Sequence, residues 1–126
     1  MKCLSLKQPF AELLVSGRKT IELRPWNTNF RGEFLVQASK APDSSACAAF
    51  GFDPKKMVKG AIIGKAVIYG VKRYGSAEEL AADREKHLAT SGRYIDSRYG
   101  FLLKDAKRIS PPIPIKGQLN FFDVEL

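Results

Sequence analysis

Between Gly60 and Lys72 runs the longest apolar stretch of the chain, and it narrows the possible folds more than any other segment. Ile62, Ile63, Val67, Ile68 and Val71 are β-branched, which suits a pleated, half-buried strand better than a helix. Gly60, Gly64 and Gly70 interrupt the run, and glycine inside a strand marks a bulge, a bend or the close approach of another backbone. The stretch therefore reads as one long strand bent by bulges, of the kind that curls a sheet toward a barrel.

Shorter elements flank it. Lys2 to Leu6 alternates, with Leu4 and Leu6 on one side, as a short strand does. Gln8-Pro9 opens a helix whose apolar face is Phe10, Leu13 and Leu14, and Gly17 closes it. Thr20 to Arg24 is a second strand, with Ile21 and Leu23 facing one way and Thr20, Glu22 and Arg24 the other; Pro25 ends it. Gly32 to Ala38 is a third, with Phe34 and Val36 on one face and Leu35 and Gln37 on the opposite one. Residues 43–52 form a short alanine-rich helix capped by Asp43 or Ser44. Ser76-Ala-Glu-Glu79 has the form of a capping box, and the helix it opens carries Ala77, Leu80, Ala81, Arg84 and Leu88 on its inner stripe before Gly92 stops it. Tyr99 to Leu103 and Asn120 to Leu126 complete the strands, while Pro111, Pro112 and Pro114 keep the stretch between them out of any central ladder. The expected architecture is α+β: a partly closed β-barrel of about six strands with two or three flanking helices, in one domain spanning 1–126.

Composition removes several function classes. A domain of 126 residues buries roughly two-thirds of its unfolded surface, and an apolar content of 44% supplies a core without disulfides. Cys3 and Cys47 lie far apart and outside metal-ligand spacing, so they read as reduced, small apolar residues. His87 has no second ligand at helical spacing and reads as a surface or packing histidine; no metal or other cofactor is expected. No apolar stretch approaches the ~20 residues that span a bilayer. Lys7, Gln8 and Glu12 interrupt the start of the chain where a leader peptide would be apolar, so a cytoplasmic location without membrane partners is expected.

Charge points toward a polyanion. Lysine and arginine number 21 against 13 acids, a net +8, and the excess is uneven. Residues 76–100 carry four basic and five acidic side chains, net −1, whereas the remainder carries 17 and eight, net +9. Such a directional field suits nucleic acid, the commonest polyanion, although a high pI also occurs without any specific partner.

Motifs sharpen this. Leu4 to Trp26 reads LSLKQPFAELLVSGRKTIELRPW: a strand, a Gln-Pro helix start, then Gly-x-Lys-x-x-Glu-x-Arg formed by Gly17, Lys19, Glu22 and Arg24. Arg31-Gly32, Gly60-Ala-Ile-Ile-Gly-Lys-Ala-Val67 and Pro114-Ile-Lys-Gly117 follow in order. Together these segments, which span nearly the whole chain, resemble the activating signal cointegrator homology (ASCH) family. That resemblance implies a PUA-like barrel with a basic cleft, in a family linked to RNA metabolism, translation and transcription coactivation. Partners implied are RNA or single-stranded nucleic acid, and protein partners in a transcription or translation complex. Some small bacterial relatives resemble enzymes, either amidohydrolases of acetylated cytidine or ribonucleases. In the amidohydrolase relatives a threonine stands where this chain has Glu22, and neither Thr20 nor Thr28 takes its place, so that nucleophile is missing.

The candidate site residues are Gln8, Lys19, Glu22, Arg24, Trp26, Arg31, Tyr99 and Lys116. Glu22 and Arg24 share one strand face, where an ion pair either fixes the arginine fork for a phosphate or base edge or simply seals the barrel mouth. Trp26, the only tryptophan, either stacks on an unpaired base or covers the core. Arg31 and Lys116 are phosphate contacts or solvated turn residues, and Gln8 is a ligand contact or a cap of its own helix. Tyr94 and Tyr99 lie near Arg93 and Arg98, an aromatic–basic interleaving that single-strand binders use, with Tyr99 half in the core. Lys55, Lys56 and Lys59 add general electrostatics. An enzyme would centre on Lys19 and Glu22, but Lys19 is pushed toward a neutral base by nearby arginines and held charged by Glu22, which favours a positioning cation.

Overall fold

The run after Gly60 is a single strand, β4 (Ala61–Arg73), paired on both sides and broken in register at three places against one neighbour. A computed structural model describes residues 1–90 and 97–126. Gly92, Arg93 and Tyr94 lie outside the described residues. The other strands are β1 (Lys2–Leu6), β2 (Ile21–Arg24), β3 (Gly32–Ala38), β5 (Tyr99–Pro114) and β6 (Phe121–Asp123). They form one sheet in the order β2-β5-β4-β3-β1-β6, antiparallel except where β1 meets β3. The register shifts of β4, at Ile62/Gly64, Lys65/Val67 and Ile68/Gly70, bend the sheet into a curled half-barrel. This is the partly closed barrel expected from the glycine spacing.

Among the described residues four small α-helices decorate the sheet: α1 (Phe10–Val15), α2 (Ser44–Phe50), α3 (Ala77–Ala82) and α4 (Arg84–His87). Helix α1 fills the concave side, where Phe10, Leu13 and Leu14 meet Leu4, Phe34, Ile68 and Phe101 in the main core. Gly64 makes this docking possible. A Cβ there would collide with the Val15 side chain and lie 2.5 Å from the Lys107 carbonyl oxygen, so only a bare backbone lets α1 sit this close. Asp43 caps α2 by accepting from Ala46 N at 3.0 Å.

Two elements differ from the sequence reading. Strand β5 continues through Pro111, Pro112 and Pro114 and pairs with β4 as far as Ala61↔Pro114. Among the described residues it has no partner on its other side beyond Leu103, whose N donates to Thr20 O at 3.0 Å, so the missing proline N–H groups break no ladder there. The helix opened by Ser76 is also not one continuous piece. It breaks at Asp83, and its expected inner stripe is not the buried part; Asp83 and His87 are. The carboxylate of Asp83 accepts from Lys72 Nζ and Tyr74 Oη, both at 2.7 Å, which fastens the break to the end of β4.

Candidate functional site

The turn after α1 is where the site begins. Gly17 takes a positive φ of 84°, and the reversed chain is tied by Lys19 N donating to Leu13 O at 2.8 Å. This turns the Lys19 side chain inward, where it is only 4% exposed. Its ammonium has three hydrogens and finds three acceptors: Ile21 O at 2.8 Å, His87 O at 2.5 Å and Glu22 Oε1 at 3.2 Å. The Phe10 ring lies 5.5 Å away. Burial pushes the Lys19 pKa down, and Glu22 opposes that shift.

Strand alternation then places Glu22 and Arg24 together as expected. Glu22 Oε2 accepts from Arg24 Nε at 2.8 Å and pairs with Nη2 at 2.7 Å, while Nη2 also donates to Ser5 O at 2.9 Å. Burial alone would raise the Glu22 pKa; the attraction and hydrogen bonds of Arg24 and Lys19 outweigh it and hold the carboxyl below its usual range. The Nη1 edge of Arg24 has no partner among the described residues, and the side chain remains 20% exposed.

These groups line a cavity of about 840 Å³. Among the described residues five basic side chains, Lys7, Lys19, Arg24, Lys40 and Lys116, border it against the single carboxylate of Glu22. Lys40 and Lys116 are exposed, and Lys7 donates to Ala41 O at 3.3 Å. Trp26 also borders the cavity. Its ring meets Phe101 and Phe121 edge-on, at 5.3 and 5.8 Å between centroids, and the Arg24 guanidinium lies 5.9 Å from it. Trp26 therefore belongs to the core and to the cavity wall at once.

Three expected residues lie elsewhere. Gln8 is buried as an internal tie, with Nε2 donating to Val58 O at 2.9 Å and Oε1 accepting from Glu12 N at 3.0 Å. Arg31 turns back onto its own loop, donating to Thr28 O at 3.0 Å and Phe30 O at 2.9 Å. Tyr99 pairs with Arg24 across β2 and β5 and packs against the main core. None of the three lines the cavity. Lys19 does line it, but its occupied ammonium serves the site by holding Glu22 rather than by reaching outward.

The sequence reading missed Ser5, Gln37 and His87 as cavity residues. For Gln37 a signal existed, since it shares a strand face with the apolar Leu35; Ser5 carried none. His87 is buried, with Nε2 2.7 Å from Leu80 O and Nδ1 accepting from Ala89 N at 3.0 Å. That pattern requires the neutral ring protonated on Nε2, and burial lowers its pKa. Among the described residues no group of three or more His, Cys, Asp or Glu converges as a metal site. No helix among them is long and apolar enough to cross a membrane.

A family model described as the ASCH domain matches residues 4–112. The crystal structure of ASCH from Zymomonas mobilis superposes with a TM-score of 0.71 at 19% identity, covering 98% of this chain and 87% of that one. Two mutant proteins of the same Zymomonas ASCH give TM-scores of 0.71 and 0.69 at 19% and 18% identity, again over 98% of this chain and 87% and 89% of theirs. At such identity the likeness speaks for the fold. No curated protein matches the chain by sequence.

Proposed function

This chain belongs to the ASCH domain family, and from that membership we propose that it is an RNA-binding module whose cavity serves as a basic cleft for a single-stranded segment. The observation that carries the reading is the Arg24 guanidinium, clamped by Glu22 at the cavity wall with its Nη1 edge without a partner among the described residues. A guanidinium held in one orientation loses little side-chain freedom on meeting a phosphate or a base edge, to which Nη1 can donate a charge-assisted hydrogen bond. Lys40 and Lys116 at the rim supply mobile positive charge for the neighbouring phosphates, and Trp26 offers an aromatic wall for a base. The module fits a role in RNA metabolism, translation or transcription coactivation.

A hydrolase centred on Lys19 and Glu22 is the weaker reading. Lys19 would have to surrender a proton from an ammonium that satisfies three acceptors, and Glu22, held ionised by two cations, is a poor proton donor.

The test is equilibrium binding of a fluorescent single-stranded oligoribonucleotide across a salt series from about 50 to about 200 mM. Phosphate contacts predict a falling log K with a slope near −0.7 per phosphate neutralised. An affinity indifferent to salt, or no association at all, refutes the proposal.

A further inference from the structure

The outer face of the sheet, turned away from α1, carries a basic and aromatic patch that the cavity does not use. Strand pairing fixes which side chains share it. Glu33 lies opposite Val67 and Val67 opposite Lys104, while two residues along β4 Lys65 lies opposite Lys107. Paired residues project to the same side of a sheet, and Phe34, Ala66 and Ile68, of the other parity, belong to the main core. Glu33, Lys65, Val67, Lys104 and Lys107 therefore stand together on the outside. Asp105 makes this possible within β5. It takes a positive φ of 53° inside the register shift opposite Lys65 and Val67, and the extra residue returns Lys107 to the face of Lys104.

Tyr69 completes the patch. It has no opposite residue in β5, because Ile68 pairs with Leu103 and Gly70 with Leu102. A bulge of this kind re-aims a side chain, and here it sends an aromatic ring into water. Tyr69 is 54% exposed, the one aromatic among the described residues left mainly in solvent. Lys104 Nζ lies 5.6 Å from the ring centroid, on the same side of the sheet. Lys65 is neutralised by Glu33 at 3.2 Å, whereas Lys104 and Lys107 have no acidic partner among the described residues.

We propose that this outer face is a second contact surface for single-stranded RNA. Tyr69 stacks on an unpaired base, and Lys104 and Lys107 meet the flanking phosphates. The proposal rests on the RNA-binding reading and extends it beyond the cavity, which none of these residues lines. Charge complementarity favours this occupant: two uncompensated ammonium groups flank the ring, and a nucleotide engages ring and cations together. Protein interfaces, by contrast, are depleted in lysine, and an acidic peptide would leave the ring unused. Because the side chains are mounted on paired strands, the surface is already formed before RNA arrives.

The test is fluorescence anisotropy with a single-stranded oligoribonucleotide over a salt series, with a melting curve to verify the folding of each variant. Tyr69→Ala is expected to weaken binding by about tenfold, as the loss of one base stack does, and Tyr69→Phe, which keeps the ring, to stay within about twofold of the parent. Joint replacement of Lys104 and Lys107 by alanine should reduce the magnitude of the salt slope by about 1.4, two phosphates at about 0.7 each. Parental affinity and slope in the folded Tyr69→Ala and double-lysine variants overturn the outer-face surface and leave the patch to a partner other than RNA. The cleft is then still supported if Lys40→Ala and Lys116→Ala weaken binding. Binding lost in the outer-face variants but untouched by Lys40→Ala and Lys116→Ala supports the outer face and refutes the cleft. Equal weakening by Tyr69→Phe and Tyr69→Ala refutes the stacking. Absence of salt-dependent binding by the parent overturns both surfaces.

Discussion

Glu22 and Arg24 lie two residues apart on one face of β2 and are joined by two contacts to a single carboxylate oxygen, from Nε at 2.8 Å and from Nη2 at 2.7 Å. The other oxygen, Oε1, is left to the buried ammonium of Lys19 at 3.2 Å. One carboxylate therefore compensates two cations in a largely dehydrated place, and the arrangement depends on it more than on either cation.

Glu22→Gln should accordingly be the most damaging single change in this trio. It leaves Lys19 buried, charged and without its counter-ion, and breaking a buried pair in this manner costs about 3–5 kcal/mol. Lys19→Met leaves Glu22 still paired with Arg24 and should cost less. Urea unfolding of the two variants beside the parent measures both values. The opposite ranking would show that the lysine's carbonyl contacts, not the carboxylate, hold the cluster together.

Stability should fall with acidification in two stages. His87 is depressed below its ordinary 6.5 by burial, so as pH drops below 6.5 the unfolded chain takes up a proton that the folded ring refuses. Stability therefore declines from that point downward. Glu22 is held below its ordinary 4.5, where burial would raise it, by Arg24 and Lys19. Asp83 is held below 3.8 by hydrogen bonds from Lys72 and Tyr74. Their contributions are complete above those values and are lost as pH falls through the lower native ones. Urea midpoints followed from about pH 8 to about pH 2 should show a first decline that His87→Gln removes and a second, below about pH 4.5, that it does not.

Lys40→Ala and Lys116→Ala alter exposed rim residues and should leave the unfolding midpoint unchanged. Each should weaken RNA binding and reduce the magnitude of the salt slope by about 0.7. Arg31→Ala, whose side chain is turned onto its own loop away from the cavity, should leave the slope as it is. A slope equally sensitive to all three would mean that diffuse charge, rather than the cleft, attracts the RNA.

Gly64→Ala should destabilise the fold by about 1–3 kcal/mol through overpacking between β4 and α1. Val15→Ala in the same chain should relieve only part of this, since the Lys107 carbonyl oxygen crowds the same point and, being backbone, cannot be trimmed. Thermal unfolding of the single and double variants tests the order, and complete rescue by Val15→Ala would exclude the backbone clash.

Much of this molecule is written in short-range pattern. The β-branched run with its glycines specified a bent strand, the period of two placed Glu22 beside Arg24, and the Gly17 turn set Lys19 next to both, because each follows from the geometry of residues a few positions apart. Gln8 and Arg31 show where that reasoning stops: each has a polar side chain suited to a ligand, yet Val58 O and the Arg31 loop's own carbonyls occupy them. The pairing of Ser5 with Gln37, the bare Gly117 in front of them and the His87 carbonyl on Lys19 join segments that are remote in the chain. Such meetings depend on strand register and on how far the sheet curls, and both are settled by the packing of the whole core around α1 rather than by any local run of residues.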